Sequence, residues 1–305
     1  MVKNYDTLKP FFSIVIPTYN CAELLHRALK SVFSQSFQNF EIIVIDNSST
    51  DYTQNVLNSY SDPKLKVLTV KNNGIIAYSR NKGIEKSKGD WVAFLDSDDV
   101  WKPGKLERVN ESINQKQNAI LLCHDEWHVV NGKIKARLKY GPETPDMYER
   151  LLFKGNCLST SAVCLRKDIA LKSGGFSERK GFVTVEDYEY WIRLSQLGEF
   201  YFIDEVLGEW HTHDDNYSSN IKMHTNANIA VKQYHFDLWL KKFPNQIRKV
   251  KYGYGRMWAD IGVNYIKTNK FDDASKCAVK AIKFAPFYWK VWAVFIIVIL
   301  RVRIS

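Results

Sequence analysis

Trp91-Val92-Ala93-Phe94-Leu95-Asp96-Ser97-Asp98-Asp99 is an apolar strand that runs directly into three carboxylates. Such a strand is buried by its neighbours and delivers its last residues to the C-terminal edge of an open α/β sheet, where these sheets bind ligands. Clustered acids repel one another unless a positive charge lies among them. A hard divalent cation with oxygen ligands, Mn²⁺ or Mg²⁺, meets that need and also grips a diphosphate. The plainer reading is an acidic turn in which Asp99 caps a following helix. The company the motif keeps decides between the two.

Upstream, residues 11–17 (Phe-Phe-Ser-Ile-Val-Ile-Pro) read as a buried strand broken by proline, with Thr18, Tyr19 and Asn20 as turn and helix cap. Leu24, Leu25, Ala28, Leu29, Val32 and Phe33 then recur at helical spacing. Residues 41–45 form a second strand that ends in Asp46-Asn47-Ser48-Ser49-Thr50-Asp51. Another helix leads to a strand at 65–70, and the Asn72-Asn73-Gly74 turn precedes a helix from about 76 to 87. Strands alternating with helices predict an α/β, Rossmann-like, mostly parallel sheet with right-handed crossovers. Thr18 to Asn20, Asp46 to Asp51 and Asp96 to Asp99 then share one sheet edge, where a nucleotide would sit. The sequence has neither G-x-x-x-x-G-K-[ST] nor G-x-G-x-x-G, so no glycine cradle holds phosphate, and a cation at Asp98 and its neighbours takes that role.

Beyond Trp101 the pattern becomes mixed α+β. Residues 119–130 read as a strand, Asn131-Gly132 as a hairpin turn, 133–138 as the return and 157–165 as a further strand. Glu186 and Asp187 open an apolar helix, whose N-terminus keeps acids ionised and able to accept a proton; the bland counterpart is helix-start electrostatics.

The chain has 305 residues, 45% hydrophobic and 25% charged, which suits roughly two folded domains. Its net charge of +10 is uneven: residues 241–305 hold 14 Lys and Arg against 3 Asp, leaving the remainder close to neutral. No nucleic-acid-binding motif accompanies that charge, so a membrane surface or anionic acceptor is the expected partner. Five cysteines without a C-x-x-C pair, and no signal-peptide pattern, read as a reduced cytosolic chain. The apolar run at 291–300 would measure about 15 Å as a helix, half a bilayer core, so it should lie on a membrane or pack.

Taken in order, residues 12–20 (Phe-Ser-Ile-Val-Ile-Pro-Thr-Tyr-Asn), 43–51 (Ile-Val-Ile-Asp-Asn-Ser-Ser-Thr-Asp), Ser79-Arg80-Asn81-Lys82-Gly83, 94–99, Glu186-Asp187 and Trp210-His211-Thr212-His213 resemble family 2 glycosyltransferases of the bacterial surface-glycan type, over about residues 11–220. The resemblance implies an inverting enzyme with a GT-A fold and a C-terminal helical extension. Residues 1–100 would be the nucleotide-sugar-binding half, 101–220 the acceptor half and 221–305 a helical tail. Thr18 and Tyr19 would line the nucleotide pocket, Asp46 or Asn47 would contact the base, and Arg80 would lie near base or diphosphate. Asp98 and Asp99 would serve ribose and metal, with Asp96 first in the D-x-D. Asp187 would be the general base, and His213 would stand near diphosphate or metal. Two positions depart from the pattern. Asn47 replaces a carboxylate, though its amide oxygen could still accept a uracil N–H; His211 stands where arginine is common, weakening a diphosphate contact at neutral pH.

These residues permit direct displacement at an anomeric carbon: Asp187 takes the proton of an acceptor hydroxyl while a metal neutralises the leaving nucleoside diphosphate. A retaining hydrolase would need two facing carboxylates, and sequence neighbours on a helix do not face each other. His124 and His128 lack H-E-x-x-H spacing, and Asp125 and Glu126 suit acceptor contacts better than zinc. Trp191 and Trp210 read as core in preference to sugar platforms. In the tail, Trp258, Gly262, Tyr265, Ala274, Ala281 and Pro286 match one tetratricopeptide-like helix pair, which cannot bury its apolar face alone. Phe287, Tyr288, Trp289, Trp292 and Phe295, interleaved with Lys290, Arg301 and Arg303, suit a membrane interface. The absence of Q-x-x-R-W points to a non-processive enzyme, and the absence of spanning helices points away from the dolichol-phosphate type. The expected activity is transfer of one sugar from a nucleoside-diphosphate sugar, UDP-linked by preference, to a glycan or glycolipid acceptor such as lipopolysaccharide. It would take place at the inner face of the cytoplasmic membrane. An inactive scaffold whose tail recruits partners is the competing class, and a nucleotidyltransferase would want a glycine-rich, basic first loop that 17–20 is not.

Overall fold

The computed structural model describes residues 9–212 and 221–300. The described residues fall into two compact units, the first of residues 9–147 and 157–212, the second of residues 148–156 and 221–300.

In the first unit, β1 (Phe12–Thr18), α1 (Ala22–Phe33), β2 (Phe40–Asp46), α2 (Thr53–Asn58), β3 (Leu65–Thr69), α3 (Ile76–Lys86) and β4 (Trp91–Phe94) alternate as the sequence predicts. Every residue of β1, β2 and β4 is buried, the signature of strands covered on both faces. Edge strand β3 is only half-buried. The order β3-β2-β1-β4 is wholly parallel and reverses direction of growth at β1, so the crevice beyond the C-terminal ends of β1 and β4 is a topological switch point. Thr18 lies at one lip of that crevice and Asp96 to Asp99 at the other.

The sheet continues through β5 (Val100–Trp101), α4 (Lys105–Gln115), β6 (Ala119–Val130), β7 (Lys133–Leu138), α5 (Met147–Lys154), β8 (Val163–Arg166), α6 (Lys167–Lys172), α7 (Glu186–Leu194) and β9 (Glu199–Thr212). β8 is inserted antiparallel between β4 and β6, β9 runs parallel to β6, and β5 closes the far edge against β9. Asn131 and Gly132 both have positive φ, as the β6–β7 hairpin turn requires. The return strand β7 is almost entirely exposed and carries Lys133, Lys135 and Arg137, charges that discourage pairing with a foreign strand. The strand expected over 157–165 is shorter: Thr160–Ala162 is a single 3₁₀ turn and extended pairing begins at Val163. The hydroxyls of residues 159–161 turn toward carboxylates instead of joining a ladder. Asp99 likewise does not cap a helix; β5 follows it and α4 begins only at Lys105.

Helix α3 lies hard against β1 because residue 83 is glycine. A Cβ there would sit 2.2 Å from Val15 Cγ1. Gly83→Ala is therefore expected to destabilise the protein by about 1–3 kcal/mol, the usual cost of overpacking, measured as a lower urea midpoint at unchanged m. An unchanged midpoint would mean that α3 can lift off the sheet at little cost.

The second unit joins α5 to α8 (Ile221–Lys242), α9 (Ile247–Lys267), α10 (Phe271–Phe284) and α11 (Trp289–Leu300). Phe153 of α5 packs on Phe236 and Trp239 of α8. Gly253 admits the rings of Phe236 and Phe153, Gly255 admits Ala285, and Gly262 admits Val294. The helix pair read from the sequence is α9–α10. Its apolar face is covered by α11, through Ala259, Ala281 and Val291 in one cluster and Ile266, Ala274 and Val294 in another. Among the described residues no helix is long and apolar enough to cross a membrane.

Candidate active site

The crevice at β1 and β4 gathers most of the residues the sequence singles out. Thr18 is buried and its Oγ1 has no hydrogen-bond partner, whereas Tyr19 is 54% exposed. Asp46 is buried and accepts from the backbone N–H and hydroxyl of Ser49, which shapes the loop after β2. Asn47 Oδ1 accepts the Asn72 backbone N–H at 2.7 Å. A backbone N–H can only donate, so this bond fixes the amide's orientation and leaves Nδ2, a donor, as the group facing elsewhere. One lone pair of that oxygen is taken by the Asn72 N–H, and its second leaves room for a further donor.

Arg80, on α3, is only 4% exposed and bridges two acids that are far apart in sequence. Its Nη2 meets Asp96 Oδ1 and its Nη1 meets Glu186 Oε1, both at 2.7 Å. Burial works to lower its pKa, but Asp96 and Glu186 outweigh this and raise it, so the guanidinium stays charged. The resemblance places Arg80 near base or diphosphate; in the structure its two nitrogens hold the start of α7 against the end of β4.

Asp187 is the second residue of α7. Its Oδ1 accepts its neighbour's backbone N–H and its Oδ2 lies 3.3 Å from Thr160 Oγ1. Burial raises its pKa above the ordinary 3.8, against the lowering influence of Arg80. Glu186 is raised for the same reason, burial first, again opposed by Arg80.

The three acids after β4 differ in occupation. Asp99 is buried, accepts the Ser161 hydroxyl on one oxygen and the His211 backbone N–H on the other, and is raised well above 3.8 by burial and by Asp98. It therefore clasps β4 to β9. Asp96 is engaged with Arg80, and its backbone N–H donates to Ser161. Asp98 is half-buried beside Cys21, whose thiol is pushed up by its own burial and by the Asp98 charge. Among the described residues no three His, Cys, Asp or Glu side chains form a closed cation cage. A hard cation such as Mg²⁺ or Mn²⁺ takes one or two carboxylates together with substrate phosphates; the carboxylates that would hold one here are Asp98 and Asp96, the latter also paired with Arg80. His213 lies outside the described residues. The His211 ring turns to Glu209, with Nε2 at 2.9 Å from its carboxylate.

One part of the site was not singled out from sequence. Ser159, Thr160 and Ser161 are consecutive, and each addresses a different carboxyl: Ser159 lies beside Glu126, Thr160 meets Asp187 and Ser161 meets Asp99. Glu126 is fully buried, accepts from Tyr140 Oη at 2.9 Å and is pushed up to about 7 by burial. Three hydroxyls interrupting an apolar run were the available signal. Asp125, expected as an acceptor contact, is instead held by Arg137 and the Tyr140 backbone N–H. His124 is buried and pushed down to about 3 by burial and Lys105, which keeps it neutral; Trp191 is core, and Trp210 stacks on His128.

Known proteins share the sequence pattern and the fold. The sequence pattern of "Glycosyl transferase family 2" matches residues 13–170. TuaG of Bacillus subtilis (strain 168), a glycosyltransferase provisionally assigned to teichuronic acid biosynthesis, is 30% identical over 215 residues, 70% of this chain and 83% of that protein. Among solved structures, S. aureus TarS 1–349 in complex with UDP-GlcNAc superposes with a TM-score of 0.64 at 18% identity, covering 95% of this chain and 92% of that one. The mannosyltransferase PcManGT from Pyrobaculum calidifontis, in complex with GDP-Man and Mn²⁺, gives 0.59 at 14% identity, covering 96% and 81%. The two structures share the fold, a GT-A sheet followed by helices. With the family's pattern spanning more than half of the sequence, the chain is a glycosyltransferase and belongs to glycosyl transferase family 2.

Proposed function

We propose that the enzyme transfers one sugar, with inversion, from a nucleoside-diphosphate sugar to a hydroxyl of a growing surface glycan, on a lipid-linked or lipopolysaccharide acceptor. The observation that carries this reading is Asp187: a half-buried carboxylate at a helix N-terminus, held by Thr160, whose neighbour Glu186 is tied through Arg80 to Asp96. Asp187 takes the acceptor's proton as its oxygen attacks the anomeric carbon from the face opposite the leaving group. Thr160 and the Tyr188 backbone N–H orient that carboxylate, and Arg80 keeps Glu186 from repelling it. Asp98, with Asp96, would hold a divalent cation, which supplies charge neutralisation to the departing diphosphate when bound. UDP is the proposed nucleotide, because TarS, which shares the fold, is solved in complex with UDP-GlcNAc. TuaG's assignment to teichuronic acid supports a surface-glycan product. The basic tail is proposed to keep the enzyme peripheral on the anionic inner face of the cytoplasmic membrane.

The test is calorimetric titration of the protein with UDP, GDP, dTDP and CMP, each with and without Mn²⁺. UDP binding that needs the cation, and that weakens at least about 10–100-fold in Asp98→Asn, is the expected result. Binding of GDP in its place would reassign the donor. No nucleotide binding with or without Mn²⁺ would overturn the reading in favour of a scaffold.

A further inference from the structure

The helical unit leaves one face of α11 uncovered. Val291 and Val294 are buried against α9 and α10, but Trp289, Trp292, Ile296 and Ile299 are 68%, 44%, 53% and 64% exposed and fall at three- and four-residue spacing along one ridge. Phe287, just before the helix, is 98% exposed and extends that ridge. Five large apolar side chains in a row form a contiguous patch, which a surface helix that faces only water does not carry.

Charge decides what covers it. From residue 274 to the C-terminus the sequence contains no Asp or Glu, while Lys276, Lys280, Lys283, Lys290, Arg301 and Arg303 are all basic. A second copy docking on the same face would bring two such basic segments together, which costs free energy that apolar contact must first overcome. An anionic lipid surface receives both features at once, with aromatic rings at the headgroup level and long basic side chains reaching the phosphates. The helix has 12 residues, about 18 Å, too short for a hydrocarbon core of about 30 Å.

We propose that α11 is a monotopic membrane helix, which lies in the interface of an anionic bilayer and sinks Phe287, Trp289, Trp292, Ile296 and Ile299 into it. This deepens the peripheral placement in the proposed function and rests on it only for the identity of the membrane. The inserted ridge, beyond the basic charge alone, makes the attachment, so binding should survive salt that strips an electrostatically adsorbed protein.

The experiment is flotation of the full chain with vesicles of phosphatidylcholine, and of phosphatidylcholine containing phosphatidylglycerol, at low and high salt. The wild type is expected to float with the phosphatidylglycerol vesicles at both salt concentrations. Trp289→Ser and Ile296→Ser change exposed ridge side chains, Trp292→Ser also gives up a hydrogen bond to the Pro286 carbonyl, and each should weaken partitioning about tenfold. Nucleotide titration without vesicles should be the same for these variants as for the wild type. Nucleotide binding without flotation would overturn the membrane assignment and leave the transferase reading standing; flotation without nucleotide binding would do the reverse. A dimer in solution that these substitutions dissolve, with no flotation, would assign the ridge to a second copy and overturn the proposal.

Discussion

Asp187→Asn is expected to lower kcat by about three orders of magnitude while leaving nucleotide binding within a factor of a few. A positioned general base contributes roughly 10²–10⁴ to rate, and an amide of the same shape cannot accept the acceptor's proton. The donor nucleotide is held by other residues, so a titration with UDP should not distinguish the variant from the wild type. The pH dependence carries an independent signature. Asp187 works only when ionised, and burial raises its pKa above 3.8 despite Arg80. Burial and the Asp96 charge push it up, while Arg80 and the hydrogen bonds from the Tyr188 backbone N–H and Thr160 pull it down. Activity is therefore present above the raised pKa and lost as pH falls through it, so the acid limb of kcat/KM should lie above the ordinary aspartate value of 3.8. Retention of most activity by Asp187→Asn, with Glu186→Gln inactive, would move the base to the neighbouring residue.

The second large effect belongs to Arg80. Replacing it with Met keeps much of the volume but leaves Glu186, itself buried, and Asp96 without their cation. Removing one partner of a buried ion pair typically costs about 3–5 kcal/mol, because the surviving charge is stranded. The cost should depend on pH with a definite sign. Without Arg80 the folded-state pKa of Glu186 rises further above its unfolded value, so the folded state binds more protons than the unfolded one. Stability is then present at acid pH and lost as pH rises through the raised value. Urea unfolding at acid and at alkaline pH should show Arg80→Met approaching the wild type in acid and falling away in alkali. Arg80→Lys, with a point charge in place of a fork, should lie between them. A variant as stable as the wild type at alkaline pH would mean that water or rearrangement satisfies Glu186.

The parts of the fold that were legible in sequence were those written by burial. β1, β2 and β4 are covered on both faces, so their continuous apolar runs stand out, and the polar residues that end them mark the functional edge. Residues 157–165 looked equally strand-like because Ser and Thr are small enough not to break an apolar run, but three hydroxyls aimed at three carboxyls hold the backbone in a turn first. The individual partnerships were not legible at all. Arg80 and Glu186 are separated by 106 residues, and neither spacing nor composition relates them. Glu126 could be listed among acids near the site, but only the packed structure shows Tyr140 capping it.

The antiparallel insertion of β8 also governs how this sheet can be assembled as the chain leaves the ribosome. β1 to β4 are complete by Phe94, yet the strand that hydrogen-bonds the open side of β4 begins only at Val163. At translation rates of about 5–20 residues per second, the backbone edge of β4 waits several seconds for its partner. During that interval a buried-type, uncharged strand is available to any other nascent chain. The polysome, more than the finished enzyme, is therefore where this protein is most exposed to aggregation and most in need of a chaperone.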